Sequence, residues 1–146
     1  DSAEDYYYFK RGYYESIIAG LKDHYQFFYA KKDEKIIAVS IILFANRRMH
    51  YHLSASRKEF QKYAPTNLLL YEASKFGIDM GFDSFHLGGG VGSKEDGLYK
   101  FKKAFNKNEN KHYCIGKKIY DEQKYDQLVK CRKDIKNENF FPKYRG

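Results

Sequence analysis

The sequence predicts an α/β chain with a mixed sheet, that is, a sheet with both antiparallel and parallel pairs. Three β-rich runs, at residues 24–30, 34–45 and 48–56, follow one another with turn-sized gaps, which indicates an antiparallel meander. A helical segment at 67–81 then separates the last run from a short strand at 82–89. A connection of that length is typical of a parallel crossover, so strand–helix units follow the meander.

The bulk properties are those of one folded domain. A chain of 146 residues can bury a genuine core, and its fifteen Tyr and twelve Phe side chains suit either that core or the lining of a groove. The longest apolar run, 36–45, is too short to span a bilayer as a helix, so we expect no transmembrane segment. The chain begins with Asp1 and has no signal segment, which favours a processed chain or an excised domain.

Cysteine and histidine spacing predicts no metal site. Cys114 and Cys131 lack the spacing of metal ligands, and reduced thiols in a cytoplasmic protein are the expected state. His50 and His52 lie two apart and share a face of a strand, but no third ligand is spaced to join them.

The net charge of +8 is unevenly placed. Seven lysines lie between Gly97 and Tyr120, against a single acid, Glu109. Such a patch favours a phosphate-bearing partner such as RNA, coenzyme A or a nucleotide sugar. A solvated, solubilising face is the plain alternative.

Helices are predicted on both sides of the meander. Apolar side chains recur at helical spacing over 5–21. After the meander, residues 56–66 form a loop, Thr66 is the expected N-cap of the helix at 67–81, and Gly81 ends that helix.

The last third of the chain continues the alternation. A helix is predicted from about Asp96, with acids at its N-terminus as the helix dipole prefers. A strand at 112–120 and an amphipathic helix at 121–135 follow. Residues 1–136 are therefore expected to form a single domain, and 137–146 a loosely attached tail.

A glycine run, "HLGGGVGSKEDGLYKFKKAF" at 86–105, is the densest local signal. It lacks the third glycine of a dinucleotide fingerprint, and Gly92 is followed by Ser93 rather than by the Lys of a P-loop. The glycines are expected to allow positive φ and close backbone approach at the end of a central strand, where ligands bind in open α/β sheets. A tight connection without a ligand is the alternative.

A linked set of motifs resembles a known family. "YHLSAS", then "APTNLLLYEASKFGIDMGFDSFHLGGG", then "EDGLYKFKKAF", which together fall within 51–105, resemble the Fem-type (FemABX) branch of the GNAT acyltransferase superfamily. With the preceding helix and meander, the resemblance covers about 70% of the chain and implies a GNAT N-acyltransferase-like fold. His86 departs from it, because the family has an acidic residue before the glycines.

The resemblance implies acyl transfer to an amine. In the Fem-type branch the donor is an aminoacyl-tRNA and the acceptor is the peptide of a peptidoglycan precursor. Such enzymes normally contain two GNAT-like domains, and this chain resembles the second, so an N-terminal partner domain or a single-domain relative is expected. No cofactor is required beyond the donor.

The identity of the donor is open between two classes, aminoacyl-tRNA and acyl-CoA. Ordinary GNAT enzymes hold the coenzyme A pyrophosphate with a glycine-containing loop before the central helix, whereas "SRKEFQKYAPT" at 56–66 contains no glycine. This favours aminoacyl-tRNA over acyl-CoA, although Arg57 and Lys58 remain candidates for phosphate contacts.

The resemblance also assigns roles within the predicted groove. Lys102 matches a family lysine near the acyl ester and would stabilise developing negative charge, and Tyr99 corresponds imperfectly to a tyrosine that protonates the leaving group. Phe101 is a candidate to stack on the terminal adenine. The remaining donor-binding candidates are Ser54, Ser56, Arg57, Lys58, Asn67, Gly88, Gly89 and Gly90. Each has a plain surface or core role as its alternative, and no general base stands out.

Two other functions remain open at this point. One is an acyl-CoA-dependent GNAT N-acetyltransferase. The other is a non-catalytic module that binds RNA or a protein through the basic strip.

Overall fold

The computed structural model describes residues 8–108, 110–112 and 114–146. The chain divides into two compact units, Asp1–Lys107 and Asn108–Gly146. In chain order the elements of the first unit are α1 (Arg11–Leu21), β1 (Tyr25–Lys32), β2 (Lys35–Ala45), β3 (Arg48–Ser56), α2 (Pro65–Asp79), β4 (Ser84–His86) and α3 (Gly97–Lys103). The second unit contains α4 (Glu122–Cys131).

The first unit is built on a four-stranded mixed sheet in the order β1-β2-β3-β4. The meander β1-β2-β3 is antiparallel, and β4 is parallel to β3. The two hairpin turns have positive φ at both central residues, Asp33 and Glu34 in the first and Asn46 and Arg47 in the second. That backbone matches the twist of paired strands in two-residue loops, so the predicted meander and parallel crossover are both confirmed.

Helix α2 covers one face of the sheet and forms the core with it. Ile42, Met49 and Ala73 pack into one cluster, each with 2% exposure or less. A buried side chain of this kind contributes about 1.5–3 kcal/mol. The contact is close because Gly77 of α2 faces the Met49 side chain, where a Cβ atom would meet the sulfur. Strand β3 is therefore held firmly against α2.

A β-bulge in β3 changes which side chains share a face. Tyr51 pairs with Ile42 and Leu53 with Ile41, so His52 is an extra residue in the ladder. Beyond the bulge, Ser54 contacts Ser40. Because of the bulge, the side chains of Tyr51 and Ser54 lie on the same face of the sheet although the two residues are three positions apart.

The start of α2 corrects one expectation. Thr66 is not its N-cap, because the helix begins at Pro65 and Ala64 occupies the cap position with a left-handed backbone. Proline is favoured in the first helical turn, where its missing N–H costs nothing. The predicted end is confirmed, since the N–H groups of Gly81 and Phe82 bond back to carbonyls of the last helical turn.

Strand β4 is shorter and more peripheral than predicted. It spans Ser84–His86 rather than 82–89, and within the described residues it lies at the edge of the sheet rather than in its centre. The strand predicted at 112–120 is also wrong, because residue 112 and residues 114–120 have no regular secondary structure and 113 lies outside the described residues. The lysines of that segment point at aromatic rings of their own unit instead, with Lys118 Nζ 4.9 Å from the Tyr120 ring centre.

Helix α1 is shorter than the predicted 5–21, of which residues 5–7 lie outside the described part. Residues 8–10 are not helical, and Lys10 has an extended backbone ahead of the helix. In the second unit, α4 is capped by Asp121, which accepts from the Lys124 N–H at 2.8 Å.

The tail folds back on α4 instead of being loosely attached. Phe141 stacks on Tyr125 at 6.1 Å between ring centres, and the Lys143 N–H donates to the Tyr125 hydroxyl at 2.9 Å. The tail's aromatic side chains give it an apolar face to bury. No helix in the described part of the chain is long and apolar enough to cross a membrane.

Candidate active site

The candidate site lies where β3 and β4 separate. The two strands pair over three rungs, from Arg48–Ser84 to His50–His86. Strand β3 then continues to Ser56, and among the described residues no strand pairs with this edge of it beyond His50. The unpaired stretch of β3 therefore borders an opening that begins at the His50–His86 rung.

Helix α3 is fixed next to this opening by its N-cap. The Asp96 carboxylate accepts hydrogen bonds from the Tyr99 N–H at 2.8 Å and from the Val91 N–H at 3.0 Å. These two backbone bonds hold the pKa of Asp96 below its ordinary value. One side chain thus ties the start of α3 to the loop that follows the glycines.

Lys102 projects from α3 into the segment after β4. Its ammonium donates to the Gly89 carbonyl oxygen at 2.9 Å and lies 5.7 Å from the centre of the Tyr51 ring. The side chain is half-buried, and this burial lowers the pKa of Lys102, partly opposed by the charge of Asp96. Lys102 is therefore a stronger acid than a lysine in water, held at the strand opening.

Two glycines make room for this arrangement, as predicted for the run. Gly88 has a φ of +78°, and a Cβ there would lie 3.3 Å from Lys102 Nζ. At Gly90 a Cβ would collide with the Lys94 carbonyl and the Asp96 carboxylate. A side chain at either position would displace the groups that hold α3 and its lysine.

A groove of about 430 Å³ runs along the unpaired part of β3, between it and the helices. It brings together four of the predicted donor-binding residues: Ser54, Ser56, Asn67 and Phe101. Phe101 and Asn67 also line a smaller neighbouring pocket of about 140 Å³ with Ala104 and Phe105. Phe101 is thus a groove-lining aromatic and also contacts Phe105, which follows the end of α3.

Hydroxyl groups lie at the end of the groove that Tyr51 and Ser54 line. Ser40 donates to Ser54 at 3.0 Å, and Ser54 donates to the Val39 carbonyl at 3.2 Å. Tyr51 lines the same groove, where burial raises the pKa of its phenol and the hydroxyls of Ser54 and Ser40 partly oppose this. A protonated Tyr51 next to a lysine ammonium gives the groove a proton-donating end.

The N-terminus of α2 opens onto the same groove. Ala64, Pro65 and Thr66 line it, and no side chain caps the helix or places an acid in its first turn. The first turn of a helix carries a partial positive charge, which favours phosphate groups.

Lys102, Gly88, Gly89 and Gly90 do not line the groove itself, and three other predicted residues also lie outside its lining. Arg57 lies on the surface and pairs with Glu59 at 3.8 Å, and Lys58 is exposed. Tyr99 is half-buried on α3, two residues from Phe101, which points it to a different side of the helix.

Sequence reasoning missed two features of the site. The Tyr51 ring lies 5.7 Å from the Lys102 ammonium, and although Tyr51 begins the motif "YHLSAS", no role was predicted for it. His50 and His86 contact each other through their Nδ1 atoms at 3.1 Å. That contact depends on the register between β3 and β4, which the sequence alone does not define.

Comparison with known proteins gives one family match. The model of the acetyltransferase (GNAT) domain matches residues 3–103. The chain is also 32% identical over 111 residues to a UDP-N-acetylmuramoylpentapeptide-lysine N(6)-alanyltransferase from Weissella viridescens. That alignment covers 74% of this chain but 32% of the relative, so the chain spans about a third of the length of that protein.

Solved structures show the same fold at low sequence identity. An aminoglycoside acetyltransferase from an uncultured soil metagenomic sample, in complex with sisomicin, has a TM-score of 0.54 and 13% identity, with 78% of this chain and 79% of the other covered. The aminoglycoside N-acetyltransferase AAC(6')-Iy in complex with CoA has a TM-score of 0.53 and 15% identity, covering 75% and 90%.

Proposed function

The chain belongs to the GNAT acetyltransferase family and is an acyltransferase of that type, and we propose that it moves an aminoacyl group from an aminoacyl-tRNA to the amine of a peptidoglycan precursor. The observation that carries this proposal is Lys102, whose ammonium is held at the opening between β3 and β4 beside a groove. The identity to an alanyltransferase supports the acceptor class.

The groove suits a donor with phosphates and a planar base. The α2 N-terminus at one side attracts a phosphate, and Phe101 offers a ring for stacking on an adenine. The loop before α2 contains no glycine, which disfavours the pyrophosphate cradle of ordinary acyl-CoA enzymes. A tRNA 3′ end supplies both a terminal adenine and flanking phosphates.

In the proposed reaction the amine nitrogen attacks the ester carbonyl carbon of the donor. A carbon–nitrogen bond forms, the carbon–oxygen ester bond breaks, the nitrogen loses one proton, and the ribose oxygen leaves with one proton. Lys102 stabilises the tetrahedral oxyanion and protonates the leaving oxygen, and its lowered pKa makes that proton easier to give up. Tyr99 remains a weaker candidate for the same proton.

The acceptor side involves more of the protein than this chain. We propose that a second GNAT-like domain binds the precursor peptide, while the first unit of this chain supplies the donor groove. The length of the alanyltransferase relative, about three times that of the matched segment, is compatible with such a partner domain.

A second candidate is N-acetyl transfer from acetyl-CoA. The uncapped N-terminus of α2 at the groove also suits this donor. It could bind the pyrophosphate of coenzyme A just as it could bind a tRNA phosphate. In that case a carbon–sulfur bond breaks, and the thiolate takes the proton.

Donor competition distinguishes the two candidates. The chain is incubated with UDP-N-acetylmuramoyl-pentapeptide containing lysine, and either alanyl-tRNA or acetyl-CoA, and the products are identified by mass spectrometry. The proposal predicts an alanylated precursor from alanyl-tRNA. Acetylation from acetyl-CoA without any alanylation would replace it with the second candidate, and transfer from neither donor would refute both.

A further inference from the structure

A pair of histidines closes the ladder between β3 and β4. His50 and His86 occupy the last shared rung, with their rings stacked at 5.2 Å between centres and their Nδ1 atoms 3.1 Å apart. Both side chains are exposed. No group of three or more His, Cys, Asp or Glu side chains among the described residues is arranged to hold a metal ion. We therefore consider the pair as a group that binds and releases protons.

The Nδ1 contact fixes complementary tautomers in the two rings. One ring must carry a proton on Nδ1 and donate it, and the other must present its Nδ1 lone pair. In the neutral pair, the donating ring then has a free lone pair on Nε2. If that Nε2 takes a proton, the Nδ1 bond to the partner becomes charge-assisted and stronger, whereas a second proton would leave two N–H groups facing each other.

The surroundings of His50 favour its neutral form. Partial burial of the His50 ring, together with the charges of His86, His52 and Lys102, lowers the pKa of His50. These groups face it from β4, from β3 itself and from α3. From α1, the Tyr13 hydroxyl bonds to Nε2 of His52, whose pKa is lowered by burial. Among the described residues, no acidic side chain contributes to the shift in the pKa of His50.

The pair lies at the opening but not on the donor side of β3. Met49 and Tyr51 face α2 and the groove, so His50 between them points to the opposite face of the sheet. The charge of Lys102 nevertheless lowers the pKa of His50, and the His50–His86 rung is the last one before the strand opening. An acceptor that approaches from that face meets His50 and His86 before it meets the donor.

We propose that the His50–His86 pair accepts the proton that the attacking amine releases. The proposal rests on the acyl transfer argued above. As the amine nitrogen bonds to the acyl carbon, its excess proton moves to the free Nε2 of the pair, and the proton from Lys102 leaves with the donor oxygen. The pair then returns its proton to water, to which its exposed rings have access, and Lys102 regains a proton from water.

The test compares pH profiles of transfer from alanyl-tRNA to the lysine-containing precursor. The parent is compared with His50→Gln and His86→Gln, and with His112→Gln as a control histidine in the other unit. Thermal melts verify folding, and His50→Asn and His86→Asn, which keep an amide near the Nδ1 position, serve as second variants. Nitrogen NMR of the parent reports the tautomers directly.

The expected result is a parental kcat that falls in acid, at a pH below the ordinary histidine value of about 6.5, because the pKa of His50 is lowered. At pH 7 the two Gln variants should lose about 10²-fold or more in kcat with KM little changed, and recover part of it at high pH, where hydroxide can take the excess proton from the nitrogen. The control keeps the parental profile. NMR should show one ring protonated at Nδ1 and the other at Nε2.

Two results would overturn the inference. If the parent transfers the acyl group and all four variants keep its kcat and pH profile, the pair has no role in proton transfer while the proposed function stands. If the parent transfers from neither alanyl-tRNA nor acetyl-CoA, the proposed function fails, and the inference that rests on it fails too.

Discussion

The Lys102 ammonium donates a 2.9 Å hydrogen bond to the carbonyl oxygen of Gly89, across the segment that joins β4 to α3. This bond fixes a half-buried lysine at the strand opening, and Gly88 beside it has a φ of +78°. Gly88 and Gly89 therefore lie in contact with this lysine, and their part in donor binding stays a prediction. The consequences of this arrangement can be measured in both stability and activity.

Burial of Lys102 predicts a pH-dependent difference in stability. Because its folded-state pKa is lowered, the unfolded chain binds this proton more tightly than the folded chain. The parent should therefore gain stability relative to Lys102→Met as the pH rises toward the ordinary lysine value of about 10.4. Urea unfolding of both proteins at pH 7 and pH 10 measures this. A constant difference would show that burial does not disfavour the charge.

Phe101 is predicted to act through stacking. Phe101→Leu should weaken donor binding by the equivalent of about 1–3 kcal/mol, because it removes the ring that would stack on an adenine. Phe101→Tyr keeps the ring and should bind as the parent does. Titration of the three proteins with tRNA measures the dissociation constants. Equal binding by the Leu and Tyr variants would assign Phe101 to packing alone.

Two adjacent glycines provide a matched pair of substitutions. Gly90→Ala forces a Cβ against the Lys94 carbonyl and the Asp96 carboxylate, and should cost about 1–3 kcal/mol of stability. Gly89→Ala meets nothing within 4 Å and should change stability far less. Thermal unfolding of both variants checks this. Equal losses would mean that the Asp96 cap does not require close approach at Gly90.

The energetic coupling between the surface residues Arg47 and Asp83 should be lost in acid. Arg47 donates two hydrogen bonds to the Asp83 carboxylate, at 2.8 and 3.0 Å, which lower the pKa of Asp83. The stabilisation is thus fully present above the ordinary value of about 3.9 and lost as the pH falls through the lowered one. A double-mutant cycle with Arg47→Gln and Asp83→Asn should show coupling at pH 7 and none in strong acid. Coupling that survived in acid would contradict the pKa shift.

Local signals predicted the meander and crossover because turns and helix ends are determined within a few residues. The turns at 33–34 and 46–47 lie between clear strand patterns, and the bonds from Gly81 end α2 as expected. Features that depend on partners were not predictable. The segment at 112–120 has strand-like residues but no strand forms there, and Pro65 displaced Thr66 from the cap of α2.

In the candidate site too, some features were predictable from local sequence and others were not. Lys102 and Phe101 were accessible through motif resemblance, and the structure brings Phe101 into the groove with Ser54. The bulge at His52 was not predictable, because regular alternation would have placed Ser54 on the same face as His50. Long-range register, rather than local pattern, therefore decides which polar side chains meet.

The central claim is that Lys102 serves acyl transfer from an aminoacyl ester. The most direct test measures alanyl transfer from alanyl-tRNA to the lysine-containing precursor by the parent, by Lys102→Met and by Lys100→Met, an exposed lysine of the same helix. We predict an alanylated precursor with the parent and with Lys100→Met, and a kcat about 10²–10³-fold lower with Lys102→Met. Parental rates in a folded Lys102→Met variant would contradict the account.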